Sequence, residues 1–343
     1  MFYNSKALKV EKLEMVKFAI LGAGTWGTAL GNMLINMGHQ VSIWSPDTNE
    51  VNLLDKNRVH KHLPGAIINK DIVFSSDLKN VVENANYVIF ATPSVFVRST
   101  AEKLKGIINN KQIIISVAKG VEPETLFTMS EIIKDVLGQD FKVVALSGPT
   151  HAEEVAIGLP TLIVSACEDE KIANQVRDTI NNPVLRVYSN TDIKGVEIAG
   201  ALKNIIALAS GMSQGMGFGD NATAAIVTRG LTEIVRLGKA MGCNPETFYG
   251  LTGIGDIVVT ATSKHSRNHN AGYLLGQGKN LEDTLKEIGM VVEGINALVA
   301  AKELSEKYHV EMPIVNGVYS IIYQGVSPKV AVSQLFNRTT KSE

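Results

Sequence analysis

VKFAILGAGTWGTALGNMLINMG, residues Val16–Gly38, is the stretch that decides the fold. Val16–Leu21 is a short apolar run ending at a glycine. Thr25–Met37 repeats apolar residues at helical spacing until Gly38, a good helix-stop residue. Gly22-Ala23-Gly24-Thr25-Trp26-Gly27 therefore follows a strand and opens a helix. That context is what a dinucleotide fingerprint requires, since a lone G-x-G-x-x-G is weak. Gly22 makes the tight turn, Gly24 lets the backbone approach a pyrophosphate, and Gly27 allows close helix–strand packing. The helix N-terminus then faces the anion. The bland alternative is a tight strand-to-helix turn with no ligand.

The pattern continues outward from this unit. Gln40–Trp44 reads as a second strand, and Asp71–Ser75, Tyr87–Ala91, Gln112–Val117 and Lys142–Ser147 as further ones. Helical patterns such as Ser94–Lys105 and Pro123–Leu137 lie between them. Alternation of helices with nearly all-apolar strands implies a parallel sheet covered on both faces. Leu159–Ser165 and Val184–Tyr188 read as the last two strands, around a helix at Asp169–Ile180. After Tyr188 the texture becomes helical: Gly195–Met212, Ala222–Met241, Leu281–Ile288, Gly294–Tyr308 and Ile314–Gln324. The expected class is an α/β Rossmann-type N-terminal domain with a parallel-rich sheet, plus an all-α C-terminal domain. The expected boundaries are a disordered extension at 1–14, a dinucleotide-binding domain at 15–192, a helical substrate domain at 193–337 and a tail at 338–343.

The chain has 343 residues, enough for two packed domains, and a formal net charge of −1. Near-neutrality gives no basic field for nucleic acid or membrane lipid, so an anionic substrate must be held by a few local cations. Cys167 and Cys243 are far apart and not in metal-ligand spacing, and no metal is expected. They suit a reduced compartment as buried small hydrophobes, with a mutual disulfide as the alternative. No segment approaches the roughly 18 uninterrupted apolar residues of a membrane span. Met1–Met15 carries charges where a secretion signal needs an apolar core.

Several residues point to chemistry. Asp47, at the end of the second strand, stands where an acidic residue binds an adenosine ribose; its bland reading is a helix cap. Arg58 and Lys61 are the nearby cations for a 2′-phosphate. Lys119, in Ser116-Val-Ala-Lys119-Gly120, ends a strand at the sheet edge where ligands bind. Gly148 and Thr150 end another, offering close backbone approach and a hydroxyl. Lys203 stands in the otherwise almost wholly apolar Val196–Met212, where a lysine must snorkel, pair or work. Asn204 and Glu197 are expected to share its environment. GIGDIVVTATSKHSRNHNAG, Gly253–Gly272, packs an acid (Asp256), a hydroxyl (Thr260), a guanidinium (Arg267) and an amide (Asn268) into a glycine-punctuated run. A fork-shaped cation beside an amide suits a phosphate or carboxylate. Glu293, in Val291-Val-Glu293-Gly294, reads simply as a favourable charge at a helix N-terminus.

Together these pieces resemble the bacterial-type NAD(P)-dependent sn-glycerol-3-phosphate dehydrogenases, from about Val16 to Asn337. The resemblance is carried by GAGTWGTALGN (Gly22–Asn32), Asn57–Pro64, TPSVFVR (Thr92–Arg98), SVAKG (Ser116–Gly120), SGPTHAEE (Ser147–Glu154), GVEIAGALKN (Gly195–Asn204), GIGDIVVTATSKHSRN (Gly253–Asn268), VVEG (Val291–Gly294) and EMPIVNGVYSI (Glu311–Ile321). It implies reversible NAD(P)H-dependent reduction of dihydroxyacetone phosphate to sn-glycerol 3-phosphate for phospholipid synthesis, by a cytoplasmic homodimer with NAD or NADP as cofactor. It implies Lys203 as proton donor and acceptor and Lys119 as shared by cofactor and substrate. Gly148, Thr150, Asp256, Ser266, Arg267 and Asn268 resemble the substrate set. Thr25, Trp26, Ala152, Val291 and Glu293 resemble cofactor contacts, with Arg267 serving both sets. Thr260 matches an active-site threonine of eukaryotic relatives.

The sequence departs from the family at Pro46, where arginine or histidine is common, and at His62, where tyrosine is usual. The implied mechanism sends a hydride to C2 while Lys203 protonates the developing alkoxide. Lys119 adds charge, Asp256 orients Lys203, and Arg267 with Asn268 grips the phosphate. The alternatives are a hydroxy-acid or ketopantoate-type dehydrogenase of the same plan, and a non-catalytic dinucleotide-sensing module.

Overall fold

The computed structural model describes residues 14–339. The expected extension, apart from Glu14, and residues 340–343 of the expected tail lie outside the described residues. Eight strands form one sheet: β1 (Lys17–Leu21), β2 (Gln40–Trp44), β3 (Val73–Ser75), β4 (Tyr87–Phe90), β5 (Ile113–Ser116), β6 (Val143–Ser147), β7 (Thr161–Ala166) and β8 (Leu185–Asn190). Their order is β3-β2-β1-β4-β5-β6-β7-β8. The chain starts in the middle of the sheet, winds out to β3, then returns past β1 to build the other wing. The β1–β4 seam is thus the switch point where such sheets bind ligands, outside the carboxyl ends of the strands.

The helices of this half are α1 (Thr25–Asn36), α2 (Thr48–Asn57), α3 (Leu78–Val82), α4 (Val97–Leu104), α5 (Met129–Leu137), α6 (Ala152–Ala156) and α7 (Glu170–Ile180). A 3₁₀ turn, Ser94–Phe96, leads into α4. The sheet faces bury two apolar clusters, one around Phe18, Ile20, Ile43 and Ile89 and one around Leu21, Val88, Phe90 and Ile114. Burial on both faces explains why these strands read as continuous apolar runs.

The sheet is parallel-rich as expected, with β6 and β7 as its one antiparallel pair among the described residues. The connecting helix α6 is only five residues long and packs beside α1. It does not cross to the far end of the sheet, so the chain re-enters β7 from the end at which it left β6. One expectation of the fold is corrected: the helix read from Pro123 begins only at Met129. Glu124 and Leu126 have positive φ, and Val121 bridges to Thr128. The Thr128–Glu131 capping box fixes the start, since its first residue must be extended.

From α8 onward, among the described residues, the chain is helical: α8 (Ile193–Gly215), α9 (Asp220–Ala240), α10 (Pro245–Phe248), α11 (Asp256–Thr262), α12 (Arg267–Gly276), α13 (Leu281–Ile288), α14 (Glu293–Lys307), α15 (Pro313–Tyr323) and α16 (Pro328–Phe336). Helix α8 is buried along almost its whole length and packs against β6, α9, α11, α12 and α14. Its contact with α12 is backbone to backbone. A Cβ on Gly211 would lie 2.0 Å from the His269 carbonyl oxygen, and one on Gly272 2.1 Å from that of Leu208. This close approach seats α12 against α8, so that Asn268, near its N-terminus, bonds Asn204, the residue after Lys203. Cys167 and Cys243 are both buried free thiols.

Candidate active site

The fingerprint turn has the three properties assigned to its glycines. Gly22 has φ +122°, and a Cβ there would meet the Ala91 carbonyl oxygen at 2.7 Å. A Cβ on Gly27 would lie 2.2 Å from the Gly22 carbonyl oxygen, whereas one on Gly24 meets nothing within 4 Å. The turn is therefore closed below and open where a pyrophosphate approaches the N-terminus of α1, a geometry that fits a dinucleotide. Thr25 and Trp26 flank that opening, half-buried. Trp26 packs with Ala152 at the start of α6, so two expected cofactor contacts share one wall. Farther along the edge, the hydroxyls of Thr92, Ser116 and Ser147, at or just beyond the carboxyl ends of β4, β5 and β6, are buried without hydrogen-bond partners among the described residues. A polar group such as a carboxamide suits them.

The chemical centre is built around one carboxylate. Asp256, fully buried at the first position of α11, accepts from Lys203 Nζ on Oδ1 and from Lys119 Nζ on Oδ2, the latter at 2.6 Å. Lys203 also donates to Thr260 Oγ1 at 2.7 Å, and Lys119 to the Gly148 carbonyl at 3.2 Å. Thr260 and Asp256 sit one helical turn apart, so both reach the same ammonium. Two lysines and one aspartate leave a net positive charge, which suits an anionic substrate and a developing alkoxide. Burial pulls the Lys203 pKa from 10.5 down to about 7; Asp256 opposes this and the Lys119 charge adds to it. An amine poised near neutrality can give a proton in one direction and take it in the other.

Several of the remaining expected residues are already engaged in bonds of their own. Arg267 is exposed at the start of α12, with Nη1 3.1 Å from the Val291 carbonyl oxygen. Burial, then Lys61, then the Arg267 charge lower the His62 pKa, so the Asn57–Pro64 segment and the α12 N-terminus face each other. Ser266 caps α12, accepting from the His269 N–H. Asn268 donates to Asn204 Oδ1 at 3.0 Å and accepts from the Gly294 N–H at 2.8 Å, tying α8, α12 and α14 together. Thr150 donates to the Gly148 carbonyl. Asp47 caps α2, its Oδ1 accepting from the N–H groups of Asn49 and Glu50.

Two expected neighbours are elsewhere. Glu197 does not share the Lys203 environment. It faces the start of α5, accepting from the Ser130 N–H at 2.8 Å and hydroxyl at 2.5 Å, and burial raises its pKa to about 7. Six residues along a helix turn it well away from Lys203. Arg58 does not reach over the ribose: its guanidinium donates to the Ile72 carbonyl and to Asp55.

Other contacts were missed. Glu293 accepts from the Ser94 N–H at 3.0 Å and from its hydroxyl at 2.5 Å, joining α14 to the turn after β4. The signal was available, because Ser94 follows a strand end on the ligand edge of the sheet. His151 is also close to the centre: burial and then the Lys203 charge lower its pKa.

Residues 17–173 match the family NAD-dependent glycerol-3-phosphate dehydrogenase N-terminus, and residues 192–333 match its C-terminus. A glycerol-3-phosphate dehydrogenase (NAD(P)+) 2 of Lactobacillus delbrueckii subsp. bulgaricus is 52% identical over 334 residues, covering 96% of this chain and 99% of that protein. A glycerol-3-phosphate dehydrogenase (NAD(P)+) of a Thermoanaerobacter species is 47% identical over 328 residues, with 96% and 99% covered. The crystal structure of a glycerol-3-phosphate dehydrogenase from Coxiella burnetii superposes with a TM-score of 0.91 at 34% identity, covering 94% of this chain and 99% of that one.

Proposed function

Because this chain belongs to the NAD-dependent glycerol-3-phosphate dehydrogenase family, we propose that its cleft reduces dihydroxyacetone phosphate to sn-glycerol 3-phosphate, reversibly, with Lys203 as the proton donor. It is an NAD(P)-dependent oxidoreductase. The observation that carries the assignment of roles is the shared carboxylate: Asp256 holds a deeply buried ammonium on one oxygen and a partly exposed one on the other.

The bound reduced dinucleotide supplies the hydride that C2 of the substrate receives. Lys203 gives its proton to the oxygen developing on C2 and is left as a neutral amine, still held by Asp256 and Thr260. Lys119 keeps positive charge beside that oxygen where water is largely excluded. Arg267 takes the substrate phosphate, with Asn268, Ser266, Gly148 and Thr150 shaping the pocket. Remote binding energy at the phosphate then holds C2 in place. Gly22, Gly24 and Gly27 with Thr25, Trp26, Ala152, Val291 and Glu293 line the dinucleotide path, and Asp47 meets the ribose.

The working division of the chain falls between β8 and α8, with dinucleotide binding before it and substrate binding after it. The resemblance further supports a cytoplasmic homodimer whose product feeds glycerophospholipid synthesis. Hydroxy-acid, ketopantoate-type and non-catalytic readings are not favoured, since the family match spans both halves of the chain.

The test is absorbance at 340 nm with dihydroxyacetone phosphate and NADH or NADPH in parallel, followed by light scattering for the dimer. Absence of turnover with both cofactors overturns the reaction.

A further inference from the structure

Arg98 stands in the first turn of α4 and has no role in the mechanism above. Its guanidinium grips the loop that follows β5. Nε donates to Glu122 Oε1 at 2.8 Å and Nη2 to Glu122 Oε2 at 2.7 Å, a two-point fork, while Nη1 donates to Asp135 Oδ2 at 2.6 Å. The Thr125 hydroxyl also donates to Glu122 Oε2, at 2.7 Å. The loop needs this grip, because Glu124 and Leu126 hold φ +73° and +60°, a left-handed backbone that is costly for residues other than glycine.

The consequence reaches Lys119, which lies just before Glu122 in the same loop. Gly120 rests on Ser94, at the start of the turn that leads into α4: a Cβ on Gly120 would lie 2.4 Å from Ser94 Cβ. Residues 120–122 are therefore fastened to residues 94–98 at two points, by contact at Gly120 and by the fork at Glu122. From there the Lys119 stem runs along α8, where a Cβ on Gly200 would stand 3.5 Å from Lys119 Cγ. Its Nζ ends on Asp256 and the Gly148 carbonyl.

We propose that Arg98 is a positioning residue for Lys119, fixing the loop after β5 through Glu122 so that Lys119 Nζ keeps its place on Asp256. The inference rests on the reading of Lys119 and Lys203 as the paired cations of the active site. Breaking the fork lets Lys119 draw away and leaves Asp256 to Lys203. The groups facing Lys203 are Asp256, Lys119, Thr260 and His151. With the Lys119 charge farther off, Lys203 holds its proton more tightly. The effect therefore has a sign: reduction slows, and its loss on the alkaline side moves to higher pH.

The experiment measures kcat for dihydroxyacetone phosphate between about pH 6 and about pH 10 in the wild type, Arg98→Gln, Glu122→Gln, the double variant and Lys119→Met. Each fork variant should lose about tenfold in kcat, since a misplacement of about 1 Å can cost on the order of 10²-fold. The alkaline limb of each should rise by about half a pH unit or more. The double variant should be no slower than the slower single one, because both changes break the same fork. Arg98→Lys keeps the charge and loses the fork, so it should fall between the wild type and Arg98→Gln, and it serves if Arg98→Gln does not fold. A kcat within about twofold of wild type overturns the proposal, as do additive losses in the double variant. A fall in kcat with an unmoved alkaline limb also overturns it, since that marks a merely structural role. Near-normal turnover of Lys119→Met overturns the reading of Lys119 itself.

Discussion

Replacing Asp256 with asparagine keeps the shape of the side chain and removes one charge from between two lysines. The Lys203 side chain is 7% exposed, that of Lys119 18% and that of Asp256 0%, so little water is at hand to compensate. Removing one partner of a buried ion pair costs about 3–5 kcal/mol. At about 1.36 kcal/mol per pKa unit, that equals a further fall of roughly 2–4 units for Lys203. Starting from about 7, its protonated fraction at pH 7 drops from about one half to about 1% or less. Reduction needs the ammonium, so turnover at pH 7 should fall about fiftyfold or more.

The stability effect carries a sign that can be checked. The folded Lys203 pKa of about 7 lies below its ordinary value of 10.5. Between those values the unfolded chain binds more protons, and stability rises with pH. Asp256→Asn lowers the folded value further. Its deficit against the wild type is thus largest below pH 7, where the wild type keeps Lys203 charged. The deficit shrinks above pH 7, where both proteins carry the neutral amine. Thermal melts at pH 6 and pH 9, with the NADH assay across the same range, test this. Equal losses of Tm at both pH values, or turnover within threefold of wild type at pH 7, would refute the shared-carboxylate argument.

Lys203→Ala should lower turnover about 10²- to 10⁴-fold while NADH affinity by fluorescence titration stays nearly unchanged; near-normal turnover removes Lys203 from the mechanism. Arg267→Lys keeps the charge and loses the fork, so kcat/KM should fall much more with dihydroxyacetone phosphate than with dihydroxyacetone, and equal losses would move the phosphate site elsewhere. NADH should be used at least as well as NADPH, because β2 leads to Pro46 and Asp47 and Arg58 is already bonded to Ile72 and Asp55. Pro46→Arg should improve kcat/KM with NADPH, whereas a wild-type preference for NADPH of tenfold or more would make Lys61 the reader of the 2′-phosphate.

The sheet was legible because its strands are buried on both faces and bounded by glycine, proline and polar residues. Every strand read from the sequence is present, with ends shifted by a few residues. The fingerprint was legible because each glycine answers a separate steric demand. Pro123–Thr128 was misread because proline at a helix start is a common signal, while the stronger capping box lay five residues later. Lys203 could be singled out because a lysine in an apolar helix is costly unless paired. Its partners could not be ranked the same way: Glu197 is close in sequence but turned away, and Asp256, 53 residues on, supplies the charge. Sequence proximity along a helix reports a face, whereas the pairing depends on how α8 and α11 pack. Arg58 shows the same limit, since its left-handed backbone turns the guanidinium back toward the segment before β3.

The two halves of the chain are joined by a repeated device. Asp256 takes Lys119 from the sheet edge, Glu293 takes the backbone and hydroxyl of Ser94, and Glu197 takes those of Ser130. In each case a carboxylate from the helical half meets donors of the sheet half. For Glu293 and Glu197 those donors include the free N–H of a helix start. Apolar packing alone tolerates sliding, whereas hydrogen bonds fix distance and direction. The proposed mechanism needs that precision, because Lys119 comes from one half and Lys203 from the other, and a misplacement of about 1 Å can cost on the order of 10²-fold in rate. Asp256, one of the carboxylates that hold the halves together, thus also sets the spacing of the two lysines to which the proposal gives the proton chemistry.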